Sequence, residues 1–356
     1  MTDRIGKLIA ALPEEVPAVL IRTRANRFYL LDLDTGDAGD LLIFRDAAYF
    51  LIDSRYTEVA ENCVKNAKVV EQTAPIAQIR ELLARHGAKS LLVEDKLSLR
   101  AFSQLEKGLE GICLRADGLL TDTLEELRSV KDEEEIRRVR QAQQITDECF
   151  TYICERIRPG LRQIDAALMM ESFMRSNGAS GIAFDTIFIS GPDTSMPHGV
   201  PGERKLENGD FITMDYGARF GGYCTDMTRT VALGGVSREM EDIYDLVHKA
   251  QLAALAAAKP GVRCCDVDAV ARDIIKEAGF GGCFGHGLGH SVGIQIHEEP
   301  RFSPRCEAIV RPGQLITVEP GVYLPGRFGV RIEDTVLITQ DGCEPLGKTT
   351  KNLIIL

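Results

Sequence analysis

Two pairs of acidic residues flank glycine-containing turns in the second half of this 356-residue chain. Asp215 and Asp226 belong to FITMDYGARFGGYCTDMTRT, whereas Glu319 and Glu333 belong to LITVEPGVYLPGRFGVRIEDT. Like charges that lie close together repel unless a proton or a cation is shared between them. Four carboxylates that converge with an imidazole would suit two divalent metal ions, and such sites activate water for hydrolysis.

The spacing of each pair predicts a β-hairpin. A turn centred on Phe220 and Gly221 would place the two aspartates opposite each other on antiparallel strands, with Cβ atoms roughly 5 Å apart. A turn centred on Gly326 would do the same for the two glutamates. On the return strand, Arg331 shares a face with Glu333, so the guanidinium could hold a carboxylate in place.

Histidines supply the candidate imidazoles. Four of the six histidines lie in glycine- or proline-flanked stretches of this half of the chain, namely His198, His286, His290 and His297. We expect His86 and His248 to be ordinary surface or core residues. In SVGIQIHE, an extended backbone would put the three apolar side chains on one face and His297 on the other. The residues alone do not decide which histidine completes the acidic cluster.

The composition is that of a soluble enzyme of the cytoplasm. Hydrophobic residues make up 44% of the chain and the formal net charge is −11. We expect neither a nucleic-acid partner nor a membrane partner, because the charge is negative and there is no apolar run of 18 residues. Ten scattered cysteines without a CxxC pair indicate reduced thiols.

The chain divides into two predicted domains, 1–124 and 125–356. In the first, strands (VPAVLIRT, RFYLLDL, DLLIF, AAYFLID, AKVVEQ and SLLVED) alternate with helices (RYTEVAENCV, IAQIRELLARHG and LRAFSQLEKGLEG). This pattern predicts an α/β domain, and it has no cluster of catalytic residue types. The acidic stretch in LRSVKDEEEIRRVRQAQ predicts the start of a long helix, since acids favour a helix N-terminus.

The second domain contains an internal repeat. RPGLRQIDAALMMESFMRSNG (158–178) and KPGVRCCDVDAVARDIIKEAG (259–279) align without gaps at an offset of 101. Each follows a helical pattern and precedes a glycine-containing segment with histidines. We interpret the two segments as a duplicated unit. Two related halves packed about a pseudo-twofold axis would leave a cleft suited to a two-metal site.

With these residues assembled, HGLGHSVGIQIHE resembles the signature of the proline peptidases in the pita-bread (M24) metallopeptidase family. That group includes Xaa-Pro aminopeptidase and Xaa-Pro dipeptidase, or prolidase. Further segments similar to the family are SMPHGVPGERKLENGD, MDYGARFGGYCTDMTRT, TVEPGVY, GVRIEDT, FLIDSRYTEVA and RSVKDEEEI. The resemblance implies an N-terminal α/β creatinase/prolidase-like domain followed by a pita-bread α+β catalytic domain.

The resemblance also implies a ligand set. Asp215 would bind one metal ion, His290 and Glu319 the other, and Asp226 and Glu333 would bridge the two ions. Each subunit would hold two divalent ions, with Mn²⁺ as the first expectation and Co²⁺ or Zn²⁺ as alternatives. Hydrolysis of the X-Pro bond would then proceed through a metal-bridging hydroxide.

Roles for other residues follow from the same resemblance. Glu319 would accept a proton from the water, and His198 and His297 would stabilise the intermediate or protonate the departing nitrogen. His286 would line the substrate pocket. Arg331 is a candidate contact for the substrate carboxylate, but its position next to Glu333 favours a role in holding a metal ligand. A homodimer is expected, with the partner's N-terminal domain bordering the cleft.

The main functional prediction is an Xaa-Pro aminopeptidase, and an Xaa-Pro dipeptidase is the alternative. Methionine aminopeptidase shares the ligand set, but the N-terminal domain and the histidine signature favour proline enzymes. Creatinase shares the domain plan and works without metal, whereas all five ligand positions here carry metal-binding residue types. A peptide-binding pseudoenzyme would be expected to lose ligands, and none is lost.

Overall fold

A computed structural model describes residues 3–356. The chain divides after Arg128 into two compact units, four residues beyond the predicted end of the first domain. Within the described residues, no helix has both the length and the apolar character needed to cross a membrane.

The first unit is built on a mixed six-stranded sheet with the strand order β4-β3-β2-β1-β5-β6. The strands are β1 (Ala18–Ile21), β2 (Asp40–Phe44), β3 (Ala48–Ile52), β4 (Lys68–Glu71), β5 (Ser90–Val93) and β6 (Cys113–Arg115). The helices are α1 (Arg4–Ala11), α2 (Arg24–Leu31), α3 (Thr57–Cys63), α4 (Pro75–Arg85), α5 (Leu99–Gly108) and α6 (Leu119–Ser129). The β1–β2 and β2–β3 pairs are antiparallel, whereas the remaining pairs are parallel.

One predicted strand of this unit is wrong, because RFYLLDL forms most of α2. All residues from Ala25 to Leu31 are buried in this helix. The periodicity of a short apolar run does not distinguish a helix from a strand when the run is buried on all sides. The buried Arg27 side chain bonds to backbone carbonyls, including Gly36 O at 2.6 Å, and so ties the helix to the loop that follows. The other predicted strands and the three predicted helices are confirmed.

The second unit combines four long helices with small sheets. The helices are α7 (Glu133–Cys154), α8 (Gln163–Ser176), α9 (Arg238–Ala257) and α10 (Cys264–Ile275), with 3₁₀ turns at Gly191–Ser195 and Gly281–Cys283 and a π turn at Lys276–Phe280. The strands are β7 (Gly181–Ile182), β8 (Ile187–Ser190), β9 (Phe211–Tyr216), β10 (Ala218–Phe220), β11 (Tyr223–Cys224), β12 (Met227–Ala232), β13 (Gly289–Ser291), β14 (Glu298–Phe302), β15 (Leu315–Val318), β16 (Gly321–Leu324), β17 (Phe328–Arg331), β18 (Asp334–Ile338) and β19 (Cys343–Pro345). The sheet orders are β11-β10-β7, β12-β9-β8, β14-β13-β15-β18-β19 and β16-β17.

Helix α7 begins where its sequence predicts a start. Asp132 and Glu135 form a reciprocal capping box, in which each side chain accepts a hydrogen bond from the other residue's backbone N–H. Three glutamates in the first turn add the negative charge that a helix N-terminus favours.

The internal repeat recurs as a structural unit. Helices α8 and α10 follow the two Pro-Gly turns, and the paired residues Arg162–Asp165 and Arg263–Asp266 form the same salt bridge at an offset of 101. One core contains α7 and α8 with β9 and β12, while the other contains α9 and α10 with β15 to β18. The duplicated halves therefore form two similar layers. β9, which carries Asp215, packs in the first core, and the strands that flank Glu319 and Glu333 pack in the second.

The first acidic hairpin has a different register from the predicted one. Arg219 pairs with Cys224, and Asp215 pairs with Thr228, so Asp215 does not face Asp226. The turn is centred between Gly221 and Gly222, and both of these glycines have positive φ. Such a two-residue turn matches the twist of an antiparallel hairpin.

The second hairpin follows the predicted register about Gly326. Position 321 pairs with 331 in β16–β17, and position 318 pairs with 334 in β15–β18. Glu319 and Glu333 therefore lie opposite each other at the step between the two ladders.

The predicted extended segment SVGIQIHE is wrong over most of its length. β13 ends at Ser291, residues 292–297 form a series of bends, and β14 starts at Glu298. Val292 and Ile294 are buried, whereas His297 is exposed. Gly293 and the buried side chains of Val292 and Ile294 favour a compact loop over a ladder.

Candidate metal centre

The five predicted ligand side chains line one cavity of the second unit. Its volume is about 720 Å³. Its wall also contains His198, His286, His297, Arg301, Arg331 and the segment 184–187. Asp215 lies in β9 and His290 in β13, whereas the other three acids flank strands: Asp226 precedes β12, Glu319 follows β15 and Glu333 precedes β18. All the candidate residues identified in the sequence therefore meet in a single cavity.

The imidazole of His290 has a defined tautomer. Its Nδ1 lies 3.1 Å from the Ser291 carbonyl oxygen, which can only accept a hydrogen bond, so Nδ1 carries the proton. The lone pair of Nε2 then points towards Asp226 Oδ2 and Glu319 Oε1, each 3.5 Å away. Burial lowers the pKa of His290 to about 3. A neutral imidazole thus turns its lone pair towards two carboxylate groups.

Three of the acidic side chains carry an oxygen that the described residues leave without a hydrogen-bond partner. These buried atoms are Asp215 Oδ1, Asp226 Oδ1 and Glu333 Oε1. In addition, ligand atoms of Asp226, His290 and Glu333 lie within 4.8 Å of one another. Several inward-facing oxygens and one nitrogen lone pair form a donor set that fits divalent cations.

Burial and mutual repulsion disfavour the ionised forms of these carboxylates. The pKa of Asp226 is raised well above its ordinary value by burial, by Glu333 and by Asp215. The pKa of Glu333 is also raised, by burial and by Glu319. Burial raises the pKa of Glu319 to about 8. In the absence of a cation, protons would have to offset this clustered charge.

Neighbouring hydroxyl groups orient the carboxylates. Thr228 donates to Glu333 Oε2 at 2.6 Å, and Thr317 donates to Glu319 Oε1 at 3.2 Å. The Thr317 hydroxyl also accepts from the backbone N–H of His290 at 3.0 Å. The strands that carry the acids therefore also carry the groups that fix the position of the acids.

Arg331 holds a carboxylate, and that carboxylate belongs to Asp215. The distance from Arg331 Nη2 to Asp215 Oδ2 is 2.6 Å. The guanidinium also donates to Thr228 Oγ1 at 3.1 Å and to Tyr323 OH at 2.9 Å. β9 packs against β17, and this packing brings Asp215 to Arg331 in place of the expected neighbour, Glu333.

His286 is engaged on both ring nitrogens. Nδ1 lies 2.8 Å from the Gly287 carbonyl oxygen and therefore carries the proton, and Nε2 accepts from the Tyr323 hydroxyl at 2.9 Å. Burial lowers the pKa of His286 to about 4, so the ring is neutral. His286 lines the cavity, as the resemblance implies, and both its nitrogens bond to protein groups.

His198 and His297 lie in loops at the cavity wall, and both are exposed. His198 follows the 3₁₀ turn Gly191–Ser195, and His297 lies in the bend between β13 and β14. The rings of His290 and His297 meet edge to face, with centroids 4.4 Å apart. Partial desolvation at the cavity wall and the nearby charge of Arg301 lower the pKa of His297.

Several residues of the site are absent from the sequence-based prediction. Thr228, Thr317 and Tyr323 contact the acids, His286 or Arg331, and Arg301 lines the cavity. A Gly-Gly turn in the first hairpin would have placed Thr228 opposite Asp215, so the sequence held a signal for it. For Tyr323 the sequence offers no comparable signal, since its partners are long-range contacts.

This donor set, built on two duplicated helix-and-sheet halves, defines the class of hydrolytic metal enzymes. Residues 137–340 match the model of metallopeptidase family M24. Residues 4–130 match the model of the creatinase/prolidase N-terminal domain. The chain belongs to metallopeptidase family M24.

Relatives match over nearly the whole chain. The Xaa-Pro dipeptidase of Pyrococcus furiosus is 36% identical over 355 residues, which cover 99% of this chain and 100% of the relative. A solved structure of an Xaa-Pro dipeptidase from Bacillus anthracis has a TM-score of 0.93 at 38% identity and covers 99% of each chain. An X-Pro aminopeptidase from Thermotoga maritima has a TM-score of 0.91 at 34% identity and also covers 99% of each chain.

These matches confirm the predicted family, the fold class and a metallo-exopeptidase. They support the dipeptidase alternative better than the main prediction, an aminopeptidase.

Proposed function

We propose that this protein is an Xaa-Pro dipeptidase that uses two divalent metal ions, with Mn²⁺ as the first candidate. The metal part of the proposal depends on one observation: the lone pair of His290 Nε2 faces the carboxylates of Asp226 and Glu319. The relatives named as dipeptidases support the substrate part.

The ions would be held by Asp215, Asp226, His290, Glu319 and Glu333. Bound divalent ions in such a site polarise a carbonyl group and lower the pKa of water towards neutrality. Co²⁺ and Zn²⁺ accept the same oxygen and nitrogen ligands, so measured metal content must identify the native ion.

Protein groups would handle the protons. Glu319 would accept the proton of the attacking water, because bound cations would offset the burial and the repulsion from Asp215 that raise its pKa and would keep its carboxylate ionised near neutral pH. His198 and His297 lie at the cavity wall, where they can stabilise the intermediate or donate a proton to the departing proline nitrogen. The X-Pro bond is a tertiary amide without an N–H.

Arg301 is the candidate for binding the free carboxylate of a dipeptide. Arg331 is 3% exposed and already bonds to Asp215, Thr228 and Tyr323. The Arg301 side chain lines the same cavity and is 49% exposed, with one Nε bond to Glu299 at 3.0 Å. We therefore assign carboxylate recognition to Arg301 and the orientation of Asp215 to Arg331.

The decisive experiment compares Ala-Pro, Ala-Pro-amide and Ala-Pro-Ala as substrates of the Mn²⁺-loaded protein. Ala-Pro should be cleaved best. Preference for Ala-Pro-Ala would instead identify an aminopeptidase. If no X-Pro peptide were cleaved, a peptide-binding role would replace the hydrolase.

Arg301→Met should raise KM for Ala-Pro by about 10- to 100-fold, because a charged hydrogen bond is lost. KM for Ala-Pro-amide, which lacks the carboxylate, should stay the same. Arg305→Met is the matched control, since Arg305 is exposed on the same segment and does not line the cavity. Equal losses on both substrates would contradict the assignment of Arg301.

A homodimer and a cytoplasmic location complete the proposal. The homodimer is an expectation from the family resemblance of the sequence, and sedimentation equilibrium of the purified protein would test it. A monomer with full activity would remove the proposed contribution of the partner's N-terminal domain.

A further inference from the structure

A buried ion pair includes the residue that follows His297 of the cavity wall. Lys131 Nζ is 3.2 Å from Glu298 Oε2, and the two side chains are only 1% and 5% exposed. The residues are 167 positions apart in sequence. Lys131 comes just before the capping box of α7, in the stretch RSVKDEEEI, which the metal centre does not use. Burial of two charges is costly, so a pair that is fully enclosed calls for a role beyond stability.

The glutamate of this pair fixes the bend that joins β13 to β14. Glu298 Oε1 accepts from the backbone N–H of Gln295 at 3.1 Å. A Cβ atom on Gly293 would lie 2.5 Å from Glu298 Oε2, so the carboxylate fills the inside of the bend against this glycine. On the other side, the backbone N–H of Cys224 donates to the Gly293 carbonyl at 2.7 Å. The bend is thus built around the Glu298 side chain.

His297 is the residue next to Glu298 and the end of that bend. It lines the cavity, and its ring meets that of His290 at a centroid distance of 4.4 Å. Because its backbone lies in a loop without a ladder, its place depends on how the bend is anchored. A shift of the bend by an ångström would be enough to weaken proton transfer.

We infer that Lys131 is a positioning residue for the peptidase reaction, acting through Glu298 on His297. Nζ holds the Glu298 carboxylate in place, the carboxylate holds the bend, and the bend presents the imidazole to the cavity. This inference rests on the proposed function, in which His297 acts at the departing nitrogen.

The test is a double-mutant cycle on Ala-Pro cleavage by the Mn²⁺-loaded full chain. Lys131→Met should lower kcat by about 10- to 100-fold, with a smaller change in KM and unchanged metal content. In a His297→Ala background the same change should lower kcat less than about 2-fold, since the group it positions is gone. Equal fold-losses in the two backgrounds, or no loss at all, would overturn the inference.

Two further variants complete the design. Glu298→Gln keeps the shape of the side chain and enters the same cycle if Lys131→Met does not fold, as judged by circular dichroism. Arg204→Met removes a cation from Asp210, outside the cavity wall, and should show no coupling to His297.

The wild type is assayed first, because its result separates the two proposals. If the wild type cleaves no X-Pro peptide, the proposed function is rejected. If the wild type is active and Lys131→Met shows no coupling to His297, only the positioning role of Lys131 is rejected.

Discussion

Two acidic residues of the candidate centre use only one carboxylate oxygen in a hydrogen bond with the protein. Asp215 Oδ2 accepts from Arg331, and Glu333 Oε2 accepts from Thr228. The second oxygen of each has no hydrogen-bond partner among the described residues. One oxygen is used for orientation and the other is left for a ligand, which is the arrangement expected of a preformed cation site.

Asp226→Ala and Glu333→Ala should each abolish Ala-Pro cleavage, because each removes a proposed bridging ligand. Metal content measured by plasma mass spectrometry should fall from two ions per chain to one or none. Glu344→Ala serves as the control, since Glu344 pairs with Arg140 on the surface and should keep both activity and metal. An unchanged rate in either ligand variant would contradict the mechanism.

The pKa of Glu319 gives the metal-free protein a distinctive pH dependence. The folded-state pKa is about 8, whereas an unfolded glutamate has a pKa of about 4.3. Between pH 7 and 8 the folded state therefore holds a proton that the unfolded chain has lost. The free energy of unfolding should fall as pH rises, and Glu319 alone should contribute up to about 1.4 kcal/mol per pH unit to this fall.

Urea denaturation of protein treated with a chelator measures this slope. Above pH 7, histidines with lowered pKa are neutral in both states and do not contribute. Glu319→Gln should make the slope less steep without removing it, because the raised pKa values of Asp226 and Glu333 give a slope of the same sign. Stability that increased between pH 7 and 8 in the metal-free wild type would be the opposite of this expectation.

At the scale of elements, glycines allow strands to approach each other around the centre. A Cβ atom on Gly289 would lie 1.9 Å from the Thr317 carbonyl oxygen, and one on Gly217 would lie 1.8 Å from the Thr225 carbonyl oxygen. Backbone atoms cannot move aside as a flexible side chain can. The close approach of β13 to β15 therefore depends on Gly289, the neighbour of His290.

Gly289→Ala should lower the free energy of unfolding by about 1–3 kcal/mol, the usual cost of an overpacked core. It should also reduce metal affinity, because β13 carries His290. Gly285→Ala is the matched control in the same glycine-rich segment, since a Cβ atom at Gly285 would meet no other atom within 4 Å. Urea titration and calorimetric metal binding provide the two measurements, and equal effects of the two substitutions would refute the packing argument.

The two hairpins illustrate what the sequence could predict. In the second hairpin, a single glycine with positive φ, Gly326, lies at the centre of the turn. The strands pair in the register predicted about this residue, so the prediction is confirmed. In the first, a register centred on Phe220 and Gly221 is wrong, because adjacent Gly221 and Gly222 supply the two positive φ angles of the turn. The shift changed the partners of Asp215 without removing it from the cavity.

Side-chain partners were harder to predict than the residues themselves. The five candidate ligands are identifiable by type and order, and the structure brings them to one cavity. The partner of Arg331 and the partner of His286 Nε2 depend on contacts between segments far apart in the chain. The periodicity and spacing of residues in the sequence describe a single strand or hairpin. They therefore carry no information about contacts between distant segments.

At the scale of the whole molecule, all the proposed ligands belong to the second unit, which has its own cores. The first unit has a separate core around β1, β2 and β5. Ligand binding stabilises the part of a protein that holds the ligand. Metal should therefore affect the two units differently.

Amide hydrogen exchange followed by mass spectrometry tests this expectation. Addition of Mn²⁺ to the metal-free protein should slow exchange in β9, β12 and β15, while exchange in β2 and β3 stays the same. Asp226→Ala provides the control, since it should lose the protection. Uniform slowing in both units would show that the ion acts elsewhere or through the whole chain.

The buried guanidinium of Arg331 has a consequence for the electrostatic balance of the cavity. The five acidic side chains that line the cavity carry a formal charge of −5 when ionised, and the guanidiniums of Arg301 and Arg331 reduce it to −3. One divalent cation would leave −1 and would repel the carboxylate of an incoming dipeptide, whereas two would leave +1 and attract it. The second cation would thus be a condition for substrate capture as well as for chemistry, and KM should depend on metal concentration more steeply than a single binding site allows.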